Sequence, residues 1–97
     1  MGGQMKAPHG VEVPFVFDNT TRAPGILGAP PDAEPLAAQV SGAWIEFART
    51  GRPAAPGLPD WPAYSAASRK VMLLNTQSRV ADDPGGGARS MTLRAMA

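Results

Sequence analysis

The only histidine of the 97-residue chain, His9, is the residue best suited to acid–base chemistry. A neutral imidazole titrates close to physiological pH and can accept and return a proton, so a histidine beside a glycine is a candidate general base. A bulky apolar cluster with two of the three phenylalanines follows His9 directly along the chain. A single histidine is more often a structural or surface residue, so its presence alone leaves both interpretations open.

Other side chains offer weaker chemistry. The paired carboxylates Asp82 and Asp83 suggest catalysis or cation binding, but no histidine or further carboxylate lies nearby at ligand spacing, which favours a solvated turn. The glycine run at 85–87 lacks the Gly-Lys-Ser/Thr ending of a phosphate loop and is interpreted as a flexible joint. The chain has no cysteine, which excludes disulfides and thiolate zinc sites. The sequence therefore predicts neither a metal site nor a cofactor.

A helix over about residues 33–50 is the clearest element of the sequence. Asp32 stands at the capping position, Glu34 and Pro35 suit the first turn, and Gly51 suits the end of the helix. Apolar residues recur at helical spacing and form one stripe: Leu36, Val40, Trp44, Phe47 and Ala48. We expect this stripe to pack against a core, with a binding face as the less common alternative.

The rest of the chain divides into short elements and irregular segments. Alternating apolar residues at 11–17 favour a short strand, whereas Pro14 removes a ladder donor and weakens that interpretation. Residues 1–8 and 18–31 are rich in glycine and proline and are expected to form loops. A proline-rich connector over 52–68, pinned through its aromatic residues, leads to a small β-hairpin at about 70–82. Residues 85–97 are expected to be a flexible tail, with a short frayed helix from about residue 90.

Four blocks of the sequence resemble the C-terminal end of type B carboxylesterases, which include para-nitrobenzyl and cholinesterase-like enzymes. The first is His-Gly-x-Glu-Val-Pro-Phe-Val-Phe at 9–17, preceded by Ala-Pro. The others are Ala-Trp-Ile-Glu-Phe-Ala-Arg-Thr-Gly-Arg-Pro at 43–53, Leu-Pro-Asp-Trp-Pro-Ala-Tyr at 58–64, and Asp-Asp-Pro at 82–84. They follow the order and usual spacing of the family. The resemblance implies that residues 1–84 are the C-terminal part of an α/β-hydrolase domain, with one or two helical turns after His9.

The resemblance also implies a serine esterase mechanism in which His9 is the general base. In such enzymes a serine attacks the ester, the histidine takes its proton, and a buried acid orients the imidazole; in the chain the serine comes first, then the acid, then the histidine. None of the five serines (Ser41, Ser65, Ser68, Ser78 and Ser90) lies in a Gly-x-Ser-x-Gly motif. Glu12 follows His9 too closely to be the triad acid and is interpreted as structural. We therefore expect a fragment that carries the base without the nucleophile or the acid and is inactive alone.

Length and composition limit what the chain can form. Ninety-seven residues are too few for the large, mainly parallel sheet of an α/β-hydrolase, so the central sheet is expected to be missing. Glycine and proline together exceed a fifth of the residues, which raises the entropy cost of ordering the chain. The net charge of +1 and the scattered basic residues argue against a nucleic-acid partner. No apolar run long enough for a membrane span and no signal peptide are present, and the compartment is left unassigned.

The partners that the resemblance implies are a small carboxylic ester, bound by the full-length enzyme, and the missing N-terminal portion of the esterase. An alternative from another class is a short, non-catalytic interaction protein. Its apolar helix at 33–50 would dock onto a partner, which could be a separately encoded N-terminal esterase part. Whether the chain is itself an enzyme is left open by the sequence.

Overall fold

The computed structural model describes residues 9–22 and 31–96, which form three α-helices, a short 3-10 helix and one β-hairpin. In chain order these elements are α1 (Val13–Val16), the 3-10 helix (Thr20–Arg22), α2 (Ala33–Thr50), β1 (Lys70–Leu73), β2 (Arg79–Asp82) and α3 (Gly86–Met96). The predicted helix at 33–50 and hairpin at about 70–82 are therefore confirmed. The loops expected at 1–8 and over most of 18–31 lie outside the described residues.

The segment after His9 is helical, which decides between the two interpretations of residues 11–17. Helix α1 is a single turn with Pro14 in its first positions, where the fixed φ of proline suits a helix and its missing N–H is not needed. The Glu12 carbonyl accepts hydrogen bonds from the N–H groups of Phe15 at 3.0 Å and Val16 at 3.1 Å. Pro14 is buried, so this turn is seated against the rest of the chain.

Helix α2 has the predicted bounds, but its two ends differ in how they are satisfied. Gly51 adopts the left-handed conformation (φ 81°) and donates its N–H to the Phe47 carbonyl at 2.7 Å, as expected for a glycine that ends a helix. Asp32 stands at the N-terminal cap, yet its side chain makes no capping hydrogen bond because its backbone is itself helical (φ −88°, ψ −6°). The prediction of a side-chain cap at Asp32 is therefore wrong.

The apolar face of α2 is covered over only part of its length. Its buried residues are Ala33, Ala37, Val40 and Ala43, on the side of the helix that the sequence predicts. Trp44 and Phe47 lie on the same side but are 58% and 51% exposed. Within the described residues, α2 contacts α1 and the 3-10 helix but neither hairpin strand. The prediction that the apolar stripe packs against a core is therefore wrong at Trp44 and Phe47, because no element of the described residues covers them.

The hairpin is antiparallel and its register places Lys70 opposite Asp82 and Leu73 opposite Arg79. The Lys70 Nζ and Asp82 Oδ1 atoms form an ion pair of 2.6 Å at the open end of the hairpin. Met72 is the one buried residue of the two strands. A two-stranded ribbon is marginal by itself in water, and within the described residues neither strand contacts a helix.

Helix α3 begins inside the glycine run rather than at residue 90. Asp83 holds its start: the Asp83 Oδ2 atom accepts a 2.6 Å hydrogen bond from Arg89 Nη2, and the Asp83 carbonyl accepts one of 2.9 Å from the Gly86 N–H. Asp82 and Asp83 therefore serve two ion pairs at the junction of the hairpin and α3. The division of the chain into residues 1–84 and a tail at 85–97 stays a prediction.

Candidate functional site

His9 lies in an exposed turn that leads into α1. Gly10 follows it with a positive φ of 84°, a conformation that glycine adopts without the steric cost paid by other residues. The Gly10 carbonyl accepts a hydrogen bond of 3.2 Å from the Val13 N–H and closes the turn. The local sequence His-Gly therefore presents an imidazole to the outside through a turn whose shape depends on the glycine.

Buried neighbours anchor the turn that carries His9. Helix α1 contacts both α2 and the 3-10 helix, so the base of the turn is held on a small helical cluster. The Pro14 carbonyl accepts a 2.9 Å hydrogen bond from the Asn19 N–H, which leads the chain directly into the 3-10 helix. Thr20 in that helix is only 6% exposed. A reaction slows when the group that catalyses it is poorly oriented. The anchoring of this turn limits the positions that His9 can take.

Glu12 is the acidic residue nearest to His9 in sequence. It occupies the N-terminal cap position of α1, its side chain makes no capping hydrogen bond, and it is exposed. Its backbone carbonyl carries the first helical hydrogen bonds of α1. The described residues contain no cluster of three or more histidine and acidic side chains that could hold a metal ion.

The serine hydroxyls whose partners are described serve local turns. Ser65 and Ser68 share a hydrogen bond of 2.8 Å, and the Ser68 N–H donates to Ser65 Oγ at 3.1 Å. In the hairpin turn, Ser78 Oγ donates to the Asn75 carbonyl and accepts from the Asn75 N–H, both at 3.1 Å. The hydroxyl groups of these three serines therefore stabilise turns.

A second feature, which the sequence analysis missed as a site, is an apolar groove of about 360 Å³ beside α2. We call it the aromatic groove; it is lined by Val40, Ala43, Trp44, Phe47, Pro53, Trp61 and Leu74. The sequence signal for this groove was the set of large apolar residues on α2 and the connector, which a chain of 97 residues cannot cover completely.

No helix in residues 9–22 and 31–96 has the length and apolar character needed to cross a membrane.

The connector over residues 52–62 supplies Pro53 and Trp61 to the lining of the groove, and it runs close to α2. A Cβ atom at Gly42 would lie 3.5 Å from the Cβ of Ala55, which is ordinary van der Waals contact. Gln39 Nε2 donates a long hydrogen bond of 3.5 Å to the Pro56 carbonyl. The small residues on this side of α2 let the connector approach, and the connector then carries Trp61 into the groove.

Comparison with known proteins places the chain beside esterases. The sequence pattern of the carboxylesterase family matches residues 3–90. The para-nitrobenzyl esterase of Bacillus subtilis is 33% identical over 81 residues, which are 81% of this chain and 16% of that protein. The phenmedipham hydrolase of Pseudarthrobacter oxydans is 36% identical over 79 residues, which are 77% of this chain and 16% of that protein.

The fold of the described chain also matches solved carboxylesterases. The crystal structure of the carboxylesterase EST55 from Geobacillus stearothermophilus superposes with a TM-score of 0.73 at 39% identity. The match covers 87% of this chain and 18% of EST55. The chain thus spans less than a fifth of the length of these relatives.

Proposed function

The chain belongs to the carboxylesterase family, and on that premise we propose that it takes part in the hydrolysis of carboxylic esters with His9 as the general base. The observation that carries this proposal is the placement of His9 in an exposed turn anchored by a buried helical segment. That placement suits a base that must meet a nucleophile outside its own turn. The nucleophilic serine and the triad acid belong, in this proposal, to sequence outside these 97 residues.

In the proposed reaction His9 moves one proton in each half. The serine oxygen attacks the carbonyl carbon of the ester while its proton passes to the neutral His9 imidazole. When the carbon–oxygen bond to the alcohol breaks, the imidazolium gives that proton to the departing alkoxide oxygen. A water molecule then attacks the acyl carbon while His9 takes a proton from it. When the bond between that carbon and the serine oxygen breaks, His9 returns the proton to the serine oxygen and the carboxylic acid leaves. The imidazole is neutral at the start and at the end of the cycle.

The residues around His9 support its proposed role as a base through the conformation and packing of their backbone. Gly10 places no side chain next to the imidazole, and a Cβ built on it would meet no atom within 4 Å beyond its two chain neighbours. Helix α1, through buried Pro14, fixes the direction in which the turn projects. Glu12 stays structural in this proposal, since it begins α1 and its exposed side chain makes no capping hydrogen bond.

A chimera tests the assignment of His9. In it, residues 1–97 replace the matching segment of the Bacillus subtilis para-nitrobenzyl esterase. We expect the chimera to hydrolyse short p-nitrophenyl esters. His9→Gln keeps a polar side chain but removes the proton acceptor, so kcat should fall by roughly 10³-fold or more with an unchanged thermal midpoint. Glu12→Gln is the matched control and should retain most of the activity. Retention of activity in His9→Gln would show that another group is the base.

The open face of α2 favours a second candidate function. A chain that leaves Trp44 and Phe47 half-exposed is also suited to a non-catalytic role as an interaction protein. The two candidates differ in what the chimera does: an interaction protein would bind through α2 without restoring turnover. The coding sequence upstream of Met1 discriminates as well, since an in-frame Gly-x-Ser-x-Gly stretch would support the esterase assignment.

A further inference from the structure

We propose that the aromatic groove is the surface on which the remaining, larger part of the carboxylesterase domain packs. The inference rests on the proposed function for the identity of that occupant. It assigns to Trp44, Phe47, Trp61 and Leu74 the task of joining the segment that carries His9 to the part that carries the serine and the acid.

The exposure of the groove residues is the first argument. Trp44, Phe47 and Leu74 are 58%, 51% and 38% exposed, although each is a large apolar side chain. They do not stand singly on a convex surface but line one concavity together with Trp61. A concave, contiguous apolar surface is characteristic of an interface, whereas scattered exposed apolar residues are common on any protein.

The composition of the groove argues against a small-molecule ligand. Pockets for small molecules place a few polar groups to orient the ligand. Apart from the indole N–H groups of Trp44 and Trp61, every side chain that lines this groove is purely hydrocarbon. Such a surface suits the side chains of another protein layer, for which apolar area and shape suffice.

The length of the related proteins identifies the occupant. The local arrangement of this chain recurs in EST55 with a TM-score of 0.73, yet it accounts for only 18% of that protein. In the described residues of this chain no large side chain is fully buried, so its elements bury only part of their own apolar surface. A segment with so small a core needs further chain to cover its apolar surface. The groove is the concave apolar surface that such a layer would fill.

Cysteine labelling tests the inference cleanly because the chain has no cysteine of its own. We would compare Trp44→Cys with Ile45→Cys, in the isolated chain and in the chimera. Both residues are 58% exposed, but Ile45 is turned about 100° from Trp44 around α2 and does not line the groove, so the two form a matched pair. Alkylation by iodoacetamide, located by peptide mass spectrometry, gives the rate at each site.

Both cysteines should react at similar rates in the isolated chain. In the chimera, Trp44→Cys should react roughly 100-fold more slowly, since alkylation then requires local opening, while Ile45→Cys changes only a few-fold. Phe47→Cys provides a second groove position if loss of the Trp44 indole prevents folding. Equal labelling of the groove cysteines in the chimera and in the isolated chain would overturn the inference. Concentration-dependent protection in the isolated chain would overturn it too, because the occupant would then be a second copy.

The outcome separates this inference from the proposed function. A chimera without esterase activity but with protected groove cysteines would refute the role of His9 and support the packing surface. An active chimera whose groove cysteines react freely would support the role of His9 and refute the packing surface.

Discussion

Replacement of Gly10 by alanine tests how far the turn shape, rather than the imidazole alone, determines the proposed activity. Gly10 has a φ of 84°, and a Cβ built on it meets no atom within 4 Å. The substitution therefore introduces no clash with a neighbour. Its whole effect comes from the backbone conformation, which an L-residue with a side chain adopts reluctantly.

The size of the effect follows from this geometry. A left-handed conformation costs an ordinary residue about 1–2 kcal/mol. A complete domain is stable by roughly 5–15 kcal/mol, so the Gly10→Ala chimera should still fold. The strain can be relieved if φ at residue 10 moves to a negative value, which swings His9 relative to α1. A displacement near 1 Å at a reacting group lowers the rate by about 100-fold, so we expect kcat to fall by roughly 10- to 100-fold.

Gly51→Ala is the matched control, because Gly51 has a φ of 81° and equally open surroundings at the end of α2. Both variants should lower the urea midpoint by similar amounts, but only Gly10→Ala should lower kcat for p-nitrophenyl esters. Gly10→Asn should recover part of the activity, since asparagine tolerates this conformation better than alanine. Equal kcat values for the two alanine variants would refute the claim that the turn positions His9.

Two further outcomes are expected of the chain itself. The isolated 97-residue chain should hydrolyse p-nitrophenyl esters no faster than its His9→Ala variant, and hydrolysis well above that control would contradict the proposal that the nucleophile lies outside these residues. Within the glycine run, Gly87→Ala should slow amide exchange in α3, by up to about 5-fold, through lower unfolded-state entropy. Gly86→Ala should gain less, because its Cβ would lie 2.6 Å from Asp83 Oδ2, the atom that accepts the hydrogen bond of Arg89; equal gains would argue against that ion pair.

Local sequence signals predicted the elements of the fold well. The bounds of α2 follow from the apolar period and from Gly51, both of which act within a few residues. The hairpin follows from two apolar runs around the turn at 75–78. The segment 11–17 was ambiguous by pattern, and Pro14 turned out to begin a helix because its ring fits the first turn and is buried there.

Features that depend on distant residues were not predictable in the same way. The apolar side of α2 was identified, but whether Trp44 is covered depends on which elements fold back onto the helix, and α1 covers only part of it. Helix α3 extends into a glycine run of poor propensity, and the Asp83–Arg89 ion pair across its first turn accompanies that extension. For the site, the sequence singles out His9, while its exposure follows from the way α1 packs.

The length of helix α2 has a mechanical consequence for the proposed catalysis. Its 18 residues rise about 27 Å at the usual 1.5 Å per residue. The same helix contacts α1, which bears the His9 turn, and lines the aromatic groove through its C-terminal half. An α-helix of this length moves as a unit, so any tilt imposed at the groove reaches the imidazole. Substitutions that overfill or underfill the groove should therefore change the distance from His9 to its proposed nucleophile, even though the substituted residues contact neither group.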